Sequence, residues 1–280
     1  MMKSFLMLGQ SNMAGRGFIH EVEQIYYENI KMLRNGRWQM MVEPINYDRP
    51  VAGVGLAASF AVAWINDHPD DTIDLIPCAE GGSSIDEWDV DGPLFKHAIS
   101  EAKFAMEHSE LTGILWHQGE SDSYHGNYKG YYPKLLKIIE TLRKELDVPT
   151  IPVLIGGLGD YLGKAGFGKS AEEYNYINQE LESFATTQKH CYFIIAKELT
   201  CNPDGIHIDA ISQRKFGLRY YEAFSKKEHV FEPLKKEPEL IASIHKKEYT
   251  NTEKMFIKSM ELAFGKITYE DFEKGLKNNM

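Results

Sequence analysis

Short apolar runs alternate with amphipathic stretches from residue 4 to residue 224, and this alternation constrains the fold more than any other feature of the chain. The runs span residues 4–8, 72–78, 111–116, 151–155 and 191–196. Each is too short for a buried helix and is apolar on both faces, as expected of a strand covered by helices on both sides. The intervening stretches, residues 56–66, 94–107, 131–146 and 171–185, read as helices. In the third, Leu135, Leu136, Ile139, Leu142 and Leu146 recur at the three-and-four spacing of one buried face. A further helix over 212–224 closes the pattern. It predicts an α/β fold of the three-layer α/β/α, flavodoxin-like type with a five-stranded parallel sheet. Ligands of such sheets bind outside the carboxyl ends of the strands, often where the strand order reverses.

Two segments break the rhythm. Residues 28–45 read as a hairpin turning at Asn35-Gly36, and their place between the first two main strands predicts a wall over the site. Residues 226–280 are rich in Lys and Glu, with Met255, Phe256, Ile257, Met260, Leu262 and Phe264 offering an apolar stripe. They read as a helical C-terminal extension appended to a domain of residues 1–225. Such a stripe must be buried, on its own chain or in a homo-oligomer contact. A net charge of −10 disfavours nucleic acid and anionic membrane surfaces as partners. No apolar run approaches the ~20 residues of a membrane span. The apolar part of MMKSFLMLG is short for a signal peptide, and the three cysteines lack metal-ligand spacing, so a cytoplasmic protein with reduced thiols is expected.

Polar clusters follow the predicted strand ends. The first run leads into GQSNMAG, with Ser11 two residues beyond Gly9; the second leads into AEGGSSIDEW, with Gly81 and Gly82. The third leads into HQGESD, with Gln118 and Glu120, and the fifth into NPDGIHID, with Asp204 and His207. Ser11 suits either a helix N-cap or a nucleophile. A serine hydroxyl becomes a useful nucleophile when an imidazole takes its proton and a carboxylate fixes that imidazole. Asp204 and His207 are near enough for one turn to hold both, although Asp204 alone also suits an Asx-turn. Donors for a developing oxyanion are available from the Ser11 N–H, a glycine N–H at Gly81 or Gly82, and the Gln118 amide. Glu120 reads as a brace for the Ser11 turn or as an alternative partner for His207. Asp86 and Asp122 read as local caps.

The set GQSNMAG, GGSSIDEW, WHQGESD and DGIHID resembles the SGNH (GDSL-like) hydrolases. Within them it is most similar to the branch of sialate O-acetylesterases and family-six carbohydrate esterases, which includes acetylxylan esterases. The resemblance runs from about residue 3 to residue 224. It implies an SGNH-type domain and a serine esterase that removes O-acetyl groups from carbohydrate without cofactor or metal. It also implies Ser11 as nucleophile, His207 as base and Asp204 as its orienter, with oxyanion donors from Ser11, the Gly81–Gly82 turn and Gln118.

Other readings stand beside this one. GKAGFGKS, from Gly163 to Ser170, satisfies the phosphate-loop pattern, so a nucleotide hydrolase is an alternative. It is weakened by the six residues separating the motif from the preceding strand. A non-catalytic carbohydrate-binding protein on the same fold is another. The substrate is expected to be an acetylated xylo-oligosaccharide or similar, since an acidic chain should not favour a polyanion, with O-acetylated sialic acid as the alternative. Its sugar ring is expected to meet the segments 28–50, 124–130 and 159–170, where Tyr26, Trp38, Tyr47, Trp88, Tyr124 and Tyr161 lie in or near reach.

Overall fold

The structure is a computed structural model, described for residues 2–277. In chain order the elements are β1 (Met2–Gly9), α1 (Ser11–Ala14), β2 (Ile30–Arg34), β3 (Arg37–Met40), α2 (Ala57–Asp67), β4 (Thr72–Pro77), α3 (Pro93–Met106) and β5 (Glu110–His117). They continue with α4 (Tyr131–Glu145), β6 (Val153–Gly156), α5 (Tyr174–Thr187), β7 (Cys191–Ile194), α6 (Ala210–Lys226), α7 (Glu237–Ser243), α8 (Asn251–Ala263) and α9 (Tyr269–Lys277). One sheet runs in the order β3-β2-β4-β1-β5-β6-β7. The five expected strands are β4, β1, β5, β6 and β7, which pair in parallel with one another.

Side-chain alternation along β1 builds both layers at once. Phe5 and Met7 join one core cluster, with α2 and α6. Leu6 and Leu8 join the other, with α3, α4 and α5. Every one of these four is buried, which is why the run is apolar throughout instead of alternating with polar residues.

The hairpin requires a correction. Asn35 and Gly36 both have positive φ, as a two-residue hairpin turn demands, and β2 and β3 pair antiparallel. However, β2 also pairs in parallel with β4 through Ile30–Ile73, Lys31–Asp74 and Met32–Leu75. The hairpin therefore widens the sheet from five strands to seven and sits on its edge, not over the site. Ile30 and Met32 are buried against the core, so the hydrophobic effect draws the hairpin into the sheet. The chain passes from β1 to β4 on one side and then to β5 on the other. The switch point thus lies at the carboxyl ends of β4, β1 and β5.

The extension after α6 packs on its own chain. Glu237 at the start of α7 forms a buried pair with Arg219 of α6 (Nε–Oε1 2.6 Å). Tyr27 donates to the Ile244 carbonyl at 2.8 Å, and Tyr26 meets Phe256 ring to ring. Glu253 closes a capping box with Thr250 at the start of α8 and also accepts from the Glu28 N–H at 2.8 Å. Phe264 and Tyr269 stay exposed. No helix among the described residues is long and apolar enough to cross a membrane.

Candidate active site

β1 ends where Gln10 donates its N–H to the His117 carbonyl of β5 at 3.0 Å. The next residues turn at once into α1, with the Met13 and Ala14 N–H groups returning to the Gln10 carbonyl. Ser11 is the first residue of that turn, so its own N–H has no intrahelical acceptor and meets none among the described residues. The side chain is nearly buried, yet it lines a cavity of about 290 Å³ with Gly82, Ser121, Phe167 and His207.

His207 arrives from the segment after β7. Asn202 donates its N–H to the His207 carbonyl at 2.7 Å, and a bridge between Cys201 and Ile208 closes the loop. Asp204 Oδ1 accepts the N–H groups of Ile206 and His207, each at 3.0 Å, while Oδ2 accepts from His207 Nδ1 at 2.7 Å. The Asx-turn and the partner to the imidazole, alternatives in the sequence, are both made by this one carboxylate. Partial burial pushes the Asp204 carboxyl up, but the two backbone N–H groups and the imidazole outweigh it and hold it below the usual range. With Nδ1–H spoken for, Nε2 is the nitrogen left to exchange a proton. No hydrogen bond joins Ser11 to His207 here; in unliganded hydrolases such contacts commonly tighten only on substrate binding.

Asn12 ties the two halves together. Its Oδ1 accepts from the Ile208 N–H at 2.9 Å and its Nδ2 donates to the Ile206 carbonyl at 3.1 Å, gripping the chain on both sides of His207. The same Nδ2 donates to Glu120 Oε1 at 2.5 Å, and His117 Nε2 lies 3.2 Å from that oxygen. Glu120 is buried. Desolvation raises its carboxyl, and the neighbouring His117 with the Asn12 hydrogen bond carries it below the usual range. Glu120 therefore braces the residue beside Ser11 and does not touch His207.

The oxyanion candidates separate in the structure. Gly81 donates its N–H to Asp48 Oδ2 at 2.8 Å, so it is already engaged. A Cβ at position 81 would lie 2.4 Å from Arg16 Nη2 and 2.6 Å from Asp48 Oδ2, so a side chain there would displace this buried ion pair. Gly82, at φ +82°, faces open space in the cavity, and its N–H meets no acceptor among the described residues. Gln118 departs from expectation. Its amide donates to Asp122 Oδ2 at 2.6 Å and to the Ser83 carbonyl at 3.0 Å, and its Oε1 accepts from Tyr131 at 2.8 Å. Gln118 is fully buried, is absent from the cavity wall and secures the 83–85 turn. Asp122 is likewise no local cap, since it also accepts the Ile85 N–H at 2.9 Å.

The phosphate-loop-like stretch has a different use. The Phe167 N–H donates to the Asp204 carbonyl at 2.7 Å, and the Gly163 N–H to the Gly168 carbonyl at 2.9 Å. A Cβ on Gly166 would come within 2.0 Å of the Asp204 carbonyl oxygen, and one on Gly168 within 1.9 Å of that of Gly205. The glycines thus let this loop lie directly on the Asp204–Gly205 backbone. A phosphate loop needs its N–H groups turned outward and a helix at once; here those at 163 and 167 are used internally, and α5 begins only at Tyr174. Among the described residues no group of three or more His, Cys, Asp or Glu is arranged to hold a metal.

Sequence reasoning missed Arg16, Asp48, Arg49 and Phe167. Asp48 and Arg49 carry no local motif and reach the site because Asn46 exchanges two hydrogen bonds with Ala79, zipping residues 46–49 along 79–81. Phe167 was hidden inside the phosphate-loop pattern.

Comparisons with known proteins bear on the family and the fold. A probable carbohydrate esterase of Arabidopsis thaliana is 27% identical over 246 residues, covering 79% of this chain and 89% of the relative. A crystal structure of a protein from Arabidopsis thaliana superposes with a TM-score of 0.70 at 24% identity, over 80% of this chain and 98% of that one. The structure of NanS superposes with a TM-score of 0.67 at 17% identity, over 81% and 97% of the two chains. The family model described as carbohydrate esterase, sialic acid-specific acetylesterase matches residues 1–226, and the chain, an α/β acetylesterase with its candidate residues at the sheet's switch point, belongs to that family.

Proposed function

We propose that this enzyme hydrolyses O-acetyl esters on a saccharide through an acetyl-serine formed at Ser11. The observation that carries this reading is the His207 Nδ1–Asp204 Oδ2 hydrogen bond of 2.7 Å, on the wall of the cavity that Ser11 also lines. Ser11 Oγ attacks the acetyl carbonyl while His207 Nε2 takes its proton. The imidazolium, stabilised by Asp204, then protonates the departing sugar oxygen. His207 next activates a water that releases acetate and restores the serine. The Ser11 and Gly82 N–H groups are the donors for the oxyanion; losing one such donor typically costs about 10²–10³ in rate. Glu120 acts through Asn12 as a positioning residue.

Acetylated neutral saccharides of the xylo-oligosaccharide kind remain the first reading of the substrate. Both guanidinium groups at the cavity are already neutralised, Arg16 by Asp48 and Arg49 by Glu80. A second reading, O-acetylated sialic acid, is favoured by Arg49, which is half-exposed and can leave Glu80 for a substrate carboxylate. Acetate release from acetylated xylo-oligosaccharides and from O-acetylsialic acid, measured in parallel with wild type and Ser11→Ala, tests both points. The expected result is release by wild type, faster from the neutral saccharide, and none above background from the variant. Equal release by the two proteins would remove Ser11 from the mechanism, and a strong preference for the sialic acid would reverse the choice of substrate.

A further inference from the structure

The six aromatics expected to meet a sugar ring do not line the catalytic cavity. Trp88 is fully buried in the core, Tyr26 packs on Phe256, and Tyr47 lies among residues of other clefts. The aromatic side chain in the cavity wall is Phe167, and it is 76% exposed. A single exposed apolar residue is ordinary on a protein surface. This one is distinguished by its place beside Ser11 and His207 and by its foundation. Its backbone N–H is held by the Asp204 carbonyl at 2.7 Å, its carbonyl accepts from Ser170 Oγ at 3.2 Å, and Gly166 and Gly168 press the turn onto Asp204–Gly205. The ring is thus presented to solvent by a backbone that cannot easily fold it inward, and its seat is the same turn that carries the candidate triad's acid and base.

We propose that Phe167 is the specificity-determining platform of this esterase, a face on which the pyranose ring of the acetylated saccharide lies during acetyl transfer. One face of a pyranose is a patch of C–H groups whose hydroxyls point sideways. Such a face is recognised by an aromatic plane with polar groups around its edge. The cavity supplies that pairing: Phe167 is its aromatic, and Arg49, Ser121 and Gln10 are polar groups on the same wall. Because Phe167 and Asp204 share one backbone hydrogen bond, the platform holds the sugar in a fixed relation to His207, the group that must protonate the leaving sugar oxygen. The acetyl group itself needs no contact with the ring.

This inference rests on the saccharide esterase reading, and the test keeps the two apart. Wild type, Phe167→Ala and Phe167→Trp are compared on an acetylated xylo-oligosaccharide, on O-acetylsialic acid, and on triacetin, an acetate ester without a sugar ring. Folding is not at risk, since the side chain is exposed and its backbone contacts survive in alanine. The expected result for Phe167→Ala is a rise in KM of roughly 5–10-fold on the preferred saccharide, with kcat/KM on triacetin within about twofold of wild type. Phe167→Trp should restore the saccharide KM. Unchanged saccharide kinetics in Phe167→Ala would overturn the platform and leave the esterase reading standing. Equal losses on saccharide and triacetin would also overturn it, making the residue a support for Asp204. Absence of saccharide hydrolysis in wild type would defeat the esterase reading, and the platform with it.

Discussion

At the residue scale, the structure divides two carboxylates that spacing alone left as rival partners for His207. Asp204 touches the imidazole, and Glu120 touches Asn12. Asp204→Asn is therefore expected to lower kcat by about 10³–10⁴ with the fold intact, by analogy with other triads. Glu120→Gln is expected to cost less in rate and more in melting temperature, because it disturbs a buried pair with His117. The reverse ordering, read from kcat and thermal melts together, would exchange their roles. Asp204 is held below the usual carboxylate range by two backbone N–H groups and the imidazole, so removing its charge removes the group those donors are arranged around. A third carboxylate serves neither purpose. Asp74 of β4 is buried without a hydrogen-bond partner among the described residues, and desolvation, only partly offset by Lys31, pushes it to about 6. The folded state then holds this proton more tightly than the unfolded chain, so its contribution to stability is lost as pH rises from about 4 through 6. Asp74→Asn should stabilise the protein above pH 6 by up to about 3 kcal/mol and change little below pH 4. Urea melts across that range check it, and a pH-independent difference would contradict the assignment. None of these distinctions was legible from spacing, because each depends on which strand end faces which loop.

At the scale of elements, the alternation of apolar runs located the five expected strands to within two residues at each end, since a doubly covered strand must be apolar throughout. The hairpin was legible as a hairpin, from Asn35-Gly36, but not as a sheet edge. That outcome depends on β4 offering Ile73 and Leu75 to β2, a non-local pairing. The partners of Gln118 were hidden for a related reason. Its motif placed it at the right rim, but Asp122 and Tyr131 turn its amide inward. The α6–α7 junction also escaped the sequence, although it is a strong tie. Arg219 is fully buried and spends its guanidinium on Glu237 and on the carbonyls of Ile195 and Lys197. Glu237→Ala leaves that charge unpaired and is expected to destabilise the fold by about 3–5 kcal/mol, read from urea unfolding. A loss below about 1 kcal/mol would mean that water or the carbonyls suffice for Arg219.

At the scale of the whole molecule, three distant segments converge on one cavity because the strand order reverses between β4 and β5 around β1. The nucleophile candidate follows the central strand β1 directly, the Gly82 N–H comes from the loop after β4, and the candidate acid–base pair comes from the loop beyond β7. The extension spends much of its apolar stripe on its own chain, so any homo-oligomer contact must draw on what stays exposed, such as Phe264 and Tyr269. Every proposed step depends on acylation of Ser11, and the cavity holds a rival hydroxyl in Ser121, which already donates to the Gly82 carbonyl at 3.0 Å. A fluorophosphonate that modifies activated serines, followed by peptide mapping, distinguishes the two directly. Label on Ser11 alone is expected, forming at least about 10³-fold more slowly in His207→Ala. Label on Ser121, or labelling of Ser11 at an unchanged rate in His207→Ala, would contradict it.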